Sequence, residues 1–172
     1  PVQKGIIFEN ENFSISAFPV VHRGSDSFGY LFEQKGRRPF LPEKAEELQI
    51  PPGPWRRNLV AGQEVTLPDG RLVTPQMVLG DFRPGVRLVH IGDTGEIESL
   101  ESFCHQADAL IIESTYLESE ADLARQFSHL TARQAATLAA RAGVKKLILT
   151  HISRRYREKE VLQEAQAVFS ET

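Results

Sequence analysis

The sequence predicts an α/β fold whose later half contains parallel strands. Three apolar runs carry that prediction: Arg87–Ile91, Ala109–Ile112 and Lys146–Thr150, separated by segments of helical pattern. Strands joined through helices are parallel with right-handed crossovers, so the three runs should end along one sheet edge. Each run gives way to a chemically capable side chain, Asp93 after Gly92, then Glu113, then His151. Ligand sites of open α/β sheets lie on that edge, and Asp, Glu and His together make a metal or acid–base set. Taken singly, each also reads as the polar terminator of a buried strand.

The elements follow in order. Gly5–Phe8 and Phe13–Phe18 flank the polar turn Glu9–Asn12, and Phe13, Ile15 and Ala17 alternate with Ser14 and Ser16 at strand period. The chain then breaks into a small polar loop, Arg23–Ser27, before another strand, Phe28–Glu33. His22 stands at that break. Read alone it is an ordinary surface or core histidine; it becomes a ligand candidate only beside partners.

Residues 36–85 hold eight of the ten prolines and read as an inserted arm, rigid in itself. They contain a helix candidate over Pro42–Gln49 and a turn-rich stretch, Ile50–Arg57. A hairpin follows, with Pro68-Asp69-Gly70 turning between Val65–Leu67 and Leu72-Val73. Trp55 beside Arg56 and Arg57 reads either as a nucleic-acid-gripping surface or as packing for the arm.

From Arg87 onward strands alternate with helices. Glu96–Gln106 places Ile97, Leu100 and Cys104 on one helical face, and Leu117–Glu120 reads as an acidic lead-in to a helix. Thr131-Ala132-Arg133-Gln134 matches a capping box, and Gly143 stops the helix it opens. His129, two residues before that cap, is a surface histidine or a proton donor beside an anion favoured by the helix start. A last helix is predicted over Lys159–Phe169.

Composition narrows the function classes. With 172 residues, 41% hydrophobic and 25% charged, the chain has material for one globular domain. No apolar run approaches the roughly 20 residues of a membrane span, and a single cysteine, Cys104, excludes an intrachain disulfide framework and a Cys-rich zinc site. A reducing, cytoplasmic setting is expected. The net charge of −3 does not advertise nucleic-acid binding, yet Arg37-Arg38, Arg56-Arg57 and Arg154–Lys159 are local basic clusters.

The motifs together resemble a known family. Phe18–His22 with Phe28-Gly29-Tyr30, Ile50–Pro54, Asp69-Gly70-Arg71, Gly92–Gly95, Glu113–Tyr116, His129 and Thr150–Tyr156 stand in the family order of the short-form ribonuclease Z enzymes. These are tRNA 3′-processing endoribonucleases of the metallo-β-lactamase superfamily, and the likeness is to their carboxy-terminal part. The resemblance implies an αββα sandwich, of which this chain supplies mainly the carboxy-terminal half plus the arm over 36–85. It implies His22, Asp93 and His151 as metal ligands, with Asp93 bridging a pair of zinc ions. His129 matches the histidine that protonates the leaving oxygen or steadies the phosphate, and Glu113 the carboxylate that orients it. Arg155 matches an arginine placed to meet substrate phosphate, and Gly53, Pro54, Arg56 and Arg57 belong to an arm that grips tRNA.

Precursor tRNA is the implied substrate and a homodimer the implied form of the whole enzyme. Two departures accompany the likeness. Ser128 and Leu130 flank His129 where the family has Gly and Ser, and the family's His-x-His-x-Asp-His signature occurs nowhere in the 172 residues. The chain is therefore expected to be part of a longer enzyme, with an incomplete zinc site and no activity by itself. Another phosphodiesterase of the superfamily, or a non-catalytic remnant that binds RNA or a partner chain, are the competing expectations.

Overall fold

A polar turn between two alternating apolar stretches dictates the first hairpin, and the strands it joins run on further than their alternation suggests. The computed structural model describes Val2–Thr172, Ser25 by its backbone alone. In chain order the elements are β1 (Gly5–Glu9), β2 (Phe13–His22), β3 (Ser25–Gln34), α1 (Pro42–Glu47), α2 (Pro54–Val60), β4 (Val65–Thr66), β5 (Leu72–Val73), β6 (Arg87–Ile91), α3 (Glu101–Cys104), β7 (Ala109–Glu113), α4 (Ala121–Phe127), α5 (Ala132–Ala142), β8 (Leu147–Thr150) and α6 (Glu158–Gln166). They form two compact units, one of the residues up to Lys35 with Val86–Thr172, the other of Gly36–Gly85.

The first unit is built on a sheet of order β1-β2-β3-β6-β7-β8. The first four strands pair antiparallel and the last three parallel. Two antiparallel steps restore direction, so β2 runs the same way as β6, β7 and β8. Its last residue, His22, thus arrives at the edge where those three strands end. β3 begins at Ser25, and Ser25–Ser27 pair one to one with Val20-Val21-His22 of β2, where the sequence suggested a loop over Arg23–Ser27. Pro19 is tolerated inside β2 because β1 reaches only as far as Ala17, leaving Pro19 a neighbour on one side alone.

Alternation along the parallel strands sends Val89, Ile91, Leu110, Ile112 and Leu147 to one face, where they join a core with α3, α5 and α6. Five alanines of α5, at 132, 135, 136, 139 and 142, are buried with Leu138. Small side chains there bring the helix close to the sheet. Its start is the capping box: the Thr131 side chain accepts from the Gln134 N–H at 3.2 Å, and the Gln134 side chain accepts from the Thr131 N–H at 2.9 Å. Gly143, left-handed at φ 65°, ends it.

The core tolerates no side chain at Gly29. A Cβ there would stand 2.4 Å from the Phe18 ring, itself stacked on Phe103 at 4.2 Å. Gly29→Ala is expected to lower stability by about 1–3 kcal/mol through overpacking, read as a lower urea midpoint with unchanged slope.

The opposite face carries Phe8, Ile15, Phe32 and Leu88 in one cross-strand row and Tyr30, His90, Ile111 and Ile148 in the next. Phe13 stacks between Phe8 and Phe32 at 5.3 and 5.0 Å. None of these side chains enters a core cluster, and Phe8 and Ile148 are 47 and 40% exposed. So much apolar surface on a sheet and its β1 edge favours association. Sedimentation of the isolated chain should show dimers or larger species; a concentration-independent monomer would contradict this.

The second unit has its own core of Ala45, Ile50, Leu59, Val65, Leu67, Val73 and Val78. Asp69 and Gly70 turn the β4–β5 hairpin, with the Asp69 carboxylate accepting from the Arg71 N–H at 3.1 Å. One helix here corrects the sequence expectation, and one later agrees with it. Pro54 opens α2 at its first turn, where a turn-rich stretch was expected, because proline's fixed φ suits that position. The acidic stretch Glu118–Glu120 is a 3-10 turn, and the helix it introduces is α4.

Two further bounds differ. The last helix is Glu158–Gln166 rather than Lys159–Phe169. The helix expected over Glu96–Gln106 is only Glu101–Cys104. Glu96 accounts for the late start: its side chain accepts from the N–H groups of Glu98 and Ser99 at 3.0 and 3.4 Å, local bonds that compete with a helix. No helix among the described residues is long and apolar enough to cross a membrane.

Candidate active site

The strand ends gather five of the residues singled out from sequence. Asp93 follows β6 through Gly92, Glu113 closes β7, His151 follows β8 and His22 closes β2. His129 enters from the short link between α4 and α5. Two bonds bring the ends of β2 and β6 together: the Gly95 N–H donates to the Val21 carbonyl at 2.7 Å, and the Thr94 hydroxyl reaches the same oxygen at 3.4 Å. Gly95 also admits the α4–α5 link, since a Cβ there would lie 3.1 Å from the Ser128 Cα.

Glu113 is the centre of the arrangement. Fully buried, its Oε1 accepts from the Thr94 N–H at 2.8 Å and lies 2.9 Å from His129 Nδ1. Its Oε2 accepts from the Leu130 N–H at 3.2 Å and from the Thr115 hydroxyl at 2.5 Å. A buried carboxylate surrounded in this way has both oxygens committed. It therefore fixes the His129 imidazole rather than offering itself to a ligand.

The other side chains face one another without bonding directly. His22 Nε2 and His151 Nδ1 stand 3.9 and 3.6 Å from the two oxygens of Asp93, beyond hydrogen-bond reach. The His129 ring lies 5.1 Å from that of His22 and 5.2 Å from that of His151, centroid to centroid. Ligand atoms of His22, Asp93 and His129 fall within 4.8 Å of one another, as do those of Glu113, His129 and His151. Imidazole nitrogens and a carboxylate at these separations are the donors that zinc takes, so the residues present fit that metal. With both Glu113 oxygens committed, the donors left to hold it are those of His22, Asp93, His129 and His151.

Two of the positions are held in left-handed backbone. His151 has φ 54° and Ser128 φ 56°. Ser128 caps α4 where glycine would sit without strain, yet the link still folds so that the Ser128 carbonyl meets His22 Nδ1 at 2.9 Å. The departure from the family pattern beside His129 thus leaves a formed link.

The remaining candidates are not members of this cluster. Arg155 donates from Nη1 to Glu120 Oε1 at 3.1 Å, and the Tyr156 hydroxyl donates to the other oxygen of the same carboxylate. Gly53, Pro54, Arg56 and Arg57 belong to the second unit. Arg56 donates from Nε to the Ile50 carbonyl at 2.9 Å and lies over the Phe40 ring, whereas Arg57 is exposed. Trp55 packs against that unit's own core. Cys104 is fully buried in the first core, and burial pushes its thiol up to about 12, which removes it from nucleophilic chemistry. Sequence reasoning overlooked Thr94 and Thr115; the available signal was a hydroxyl directly after Asp93, or two residues after Glu113, at a strand end.

Comparison with known proteins agrees with this geometry. Residues 59–152 match the family model described as a beta-lactamase superfamily domain. The chain is 44% identical over 172 residues to a ribonuclease Z of Bradyrhizobium sp. (strain ORS 278), covering 100% of this chain and 57% of that protein. It is 43% identical over 166 residues to a ribonuclease Z of Nitrosopumilus maritimus, covering 94% and 54%. The chain spans about half the length of the curated relatives it matches.

Among solved structures, the metallo-beta-lactamase fold protein YhfI from Bacillus subtilis superposes with a TM-score of 0.56 at 16% identity, over 95% of this chain and 46% of that one. The short form of human tRNase Z, ELAC1, superposes with a TM-score of 0.52 at 23% identity, over 87% and 39%. Likeness at such identities shows the α/β fold of the metallo-β-lactamase type. On its family match, its fold and the histidine–carboxylate cluster at its strand ends, this chain belongs to the beta-lactamase superfamily.

Proposed function

We propose that the chain is the carboxy-terminal part of a zinc-dependent endoribonuclease that removes the 3′ trailer from tRNA precursors by phosphodiester hydrolysis. One observation carries the reading: His22, Asp93, His129 and His151 converge around the buried Glu113, in a chain 44% identical along its whole length to a ribonuclease Z. In this reading His22, Asp93 and His151 are metal ligands, completed by histidines and an aspartate from the family's His-x-His-x-Asp-His signature. A zinc pair so held supplies an activated water and neutralises charge on the scissile phosphate.

The chain's own residues do the rest. Glu113 accepts from Nδ1 of His129 and holds the imidazole in one orientation. Nε2 of His129 then carries the proton that the leaving 3′ oxygen takes up, which avoids expelling an alkoxide. Arg155 meets substrate phosphate on exchanging its Glu120 partner, a surface pair with little energy to lose. The unit Gly36–Gly85, with Gly53-Pro54 at the head of α2 and Arg57 exposed, is the arm that grips tRNA. The enzyme so assembled is a cytoplasmic homodimer.

The arm provides the test against a phosphodiesterase of different substrate. In the assembled enzyme, deletion of Pro42–Val78 is expected to weaken precursor tRNA by about 10²-fold, the loss of a second attachment point on one ligand. Hydrolysis of a small phosphodiester should persist. Equal loss on both substrates would contradict the arm's role.

A further inference from the structure

Thr115 links the two histidines that the proposed function sets to different tasks. Its hydroxyl oxygen lies 2.5 Å from Glu113 Oε2, 2.7 Å from His151 Nδ1 and 3.4 Å from His129 Nδ1. Thr115 and His129 are only 8% exposed and Glu113 is fully buried, so water does not compete for the bonds among them, while the His151 side chain is half exposed. The directions follow from proton counting. A hydroxyl has one proton and two lone pairs, and a carboxylate has no proton to give. Glu113 Oε2 already accepts from the Leu130 N–H. The single Thr115 proton therefore goes to Oε2, and the Thr115 oxygen can meet His151 Nδ1 only as an acceptor. His151 must donate from Nδ1, which leaves its lone pair on Nε2. Asp93 Oδ1, 3.6 Å from the same Nδ1, favours the same N–H.

We propose that Thr115 is a positioning residue: its hydroxyl extends the hold of Glu113 from His129 to His151, so that one buried carboxylate sets the tautomer of both imidazoles. His22 is pinned in the same sense by a separate route, because its Nδ1 lies 2.9 Å from the Ser128 carbonyl, which can only accept. All three rings are thereby held as Nδ1–H tautomers with Nε2 as the ligating or proton-carrying atom. The backbone shares in the arrangement at His151, whose positive φ is kept by a side chain anchored at Nδ1. The inference rests on the metal-site reading above, but its main readout does not depend on activity or on metal.

The test uses the 172-residue chain labelled with 15N in its histidines. Two-bond proton–nitrogen correlations, recorded without metal at about pH 8, where free imidazole is neutral, distinguish the two tautomers ring by ring. His151 is expected as a single Nδ1–H species in the parent chain and in Thr115→Ser, which keeps the hydroxyl. Thr115→Val, equal in volume, and Thr115→Ala, smaller and easily accommodated, should both lose that preference and show a mixture. Zinc titration against a chelating indicator should show Thr115→Val weaker than parent by about 10–100-fold, the usual cost of removing a group that orients a ligand, with Thr115→Ser close to parent. An Nε2–H His151 in the parent chain, or an unchanged tautomer in both Val and Ala variants, overturns the proposal. Should zinc not bind the parent chain, whose ligand set the signature completes, the tautomer pattern alone upholds or overturns the proposal; failure of the assembled enzyme to bind zinc would count against the metal reading alone.

Discussion

His129→Ala in the assembled enzyme should slow the cleavage step by about 10²–10⁴-fold, the range expected for loss of a general acid, while the bound zinc stays nearly constant. The separation rests on geometry. His129 Nδ1 is bonded to Glu113 at 2.9 Å, so this ring is oriented by the protein and need not be held by metal. Asp93 has the opposite character. Its two oxygens face His22 and His151 without hydrogen-bonding them, and Asp93→Ala should strip zinc, seen by elemental analysis. Glu113→Gln should resemble His129→Ala, because an amide keeps the shape but not the acceptor-only character that fixes the imidazole. Combining Glu113→Gln with His129→Ala should cost little more than either alone, as for residues acting as a unit. Zinc loss on His129→Ala, or full additivity of the two changes, would show that they do not form a proton-delivering pair.

Much of this site was legible because its chemistry stands at strand ends, where apolar runs give way to Asp93, Glu113 and His151. The three parallel strands fall within a residue of their expected bounds, since a buried parallel strand is a short continuous apolar run with sharp limits. The capping box at Thr131 and the stop at Gly143 are equally local signals and hold in the structure.

What sequence could not convey was non-local. His22 reads as one histidine at a strand break; only the direction of β2, set by two successive antiparallel pairings, carries it to the shared edge. The bonds that join Thr115 to His151 and Thr94 to Glu113 span 36 and 19 positions and leave no periodicity to find. Local signals also misled. Gly53-Pro54 marks a turn as readily as a helix start, and Glu96, by bonding to the backbone just after it, shortened a helix whose apolar spacing looked complete.

The most direct test of the central claim mixes the chain with the amino-terminal half of a ribonuclease Z relative that carries the His-x-His-x-Asp-His signature. In the proposed reading this chain supplies three ligands and a proton-delivering pair, too few to hold two metals and activate a water, so either half alone should leave a precursor tRNA uncut. Together, with zinc, they should release the 3′ trailer, and Asp93→Ala in this chain should abolish the release. The apolar sheet face on which the isolated chain is expected to self-associate is also the surface on which the halves are expected to meet. Robust trailer removal by the pure chain alone, or no cleavage from a mixture shown to form a zinc-loaded complex, would contradict the account.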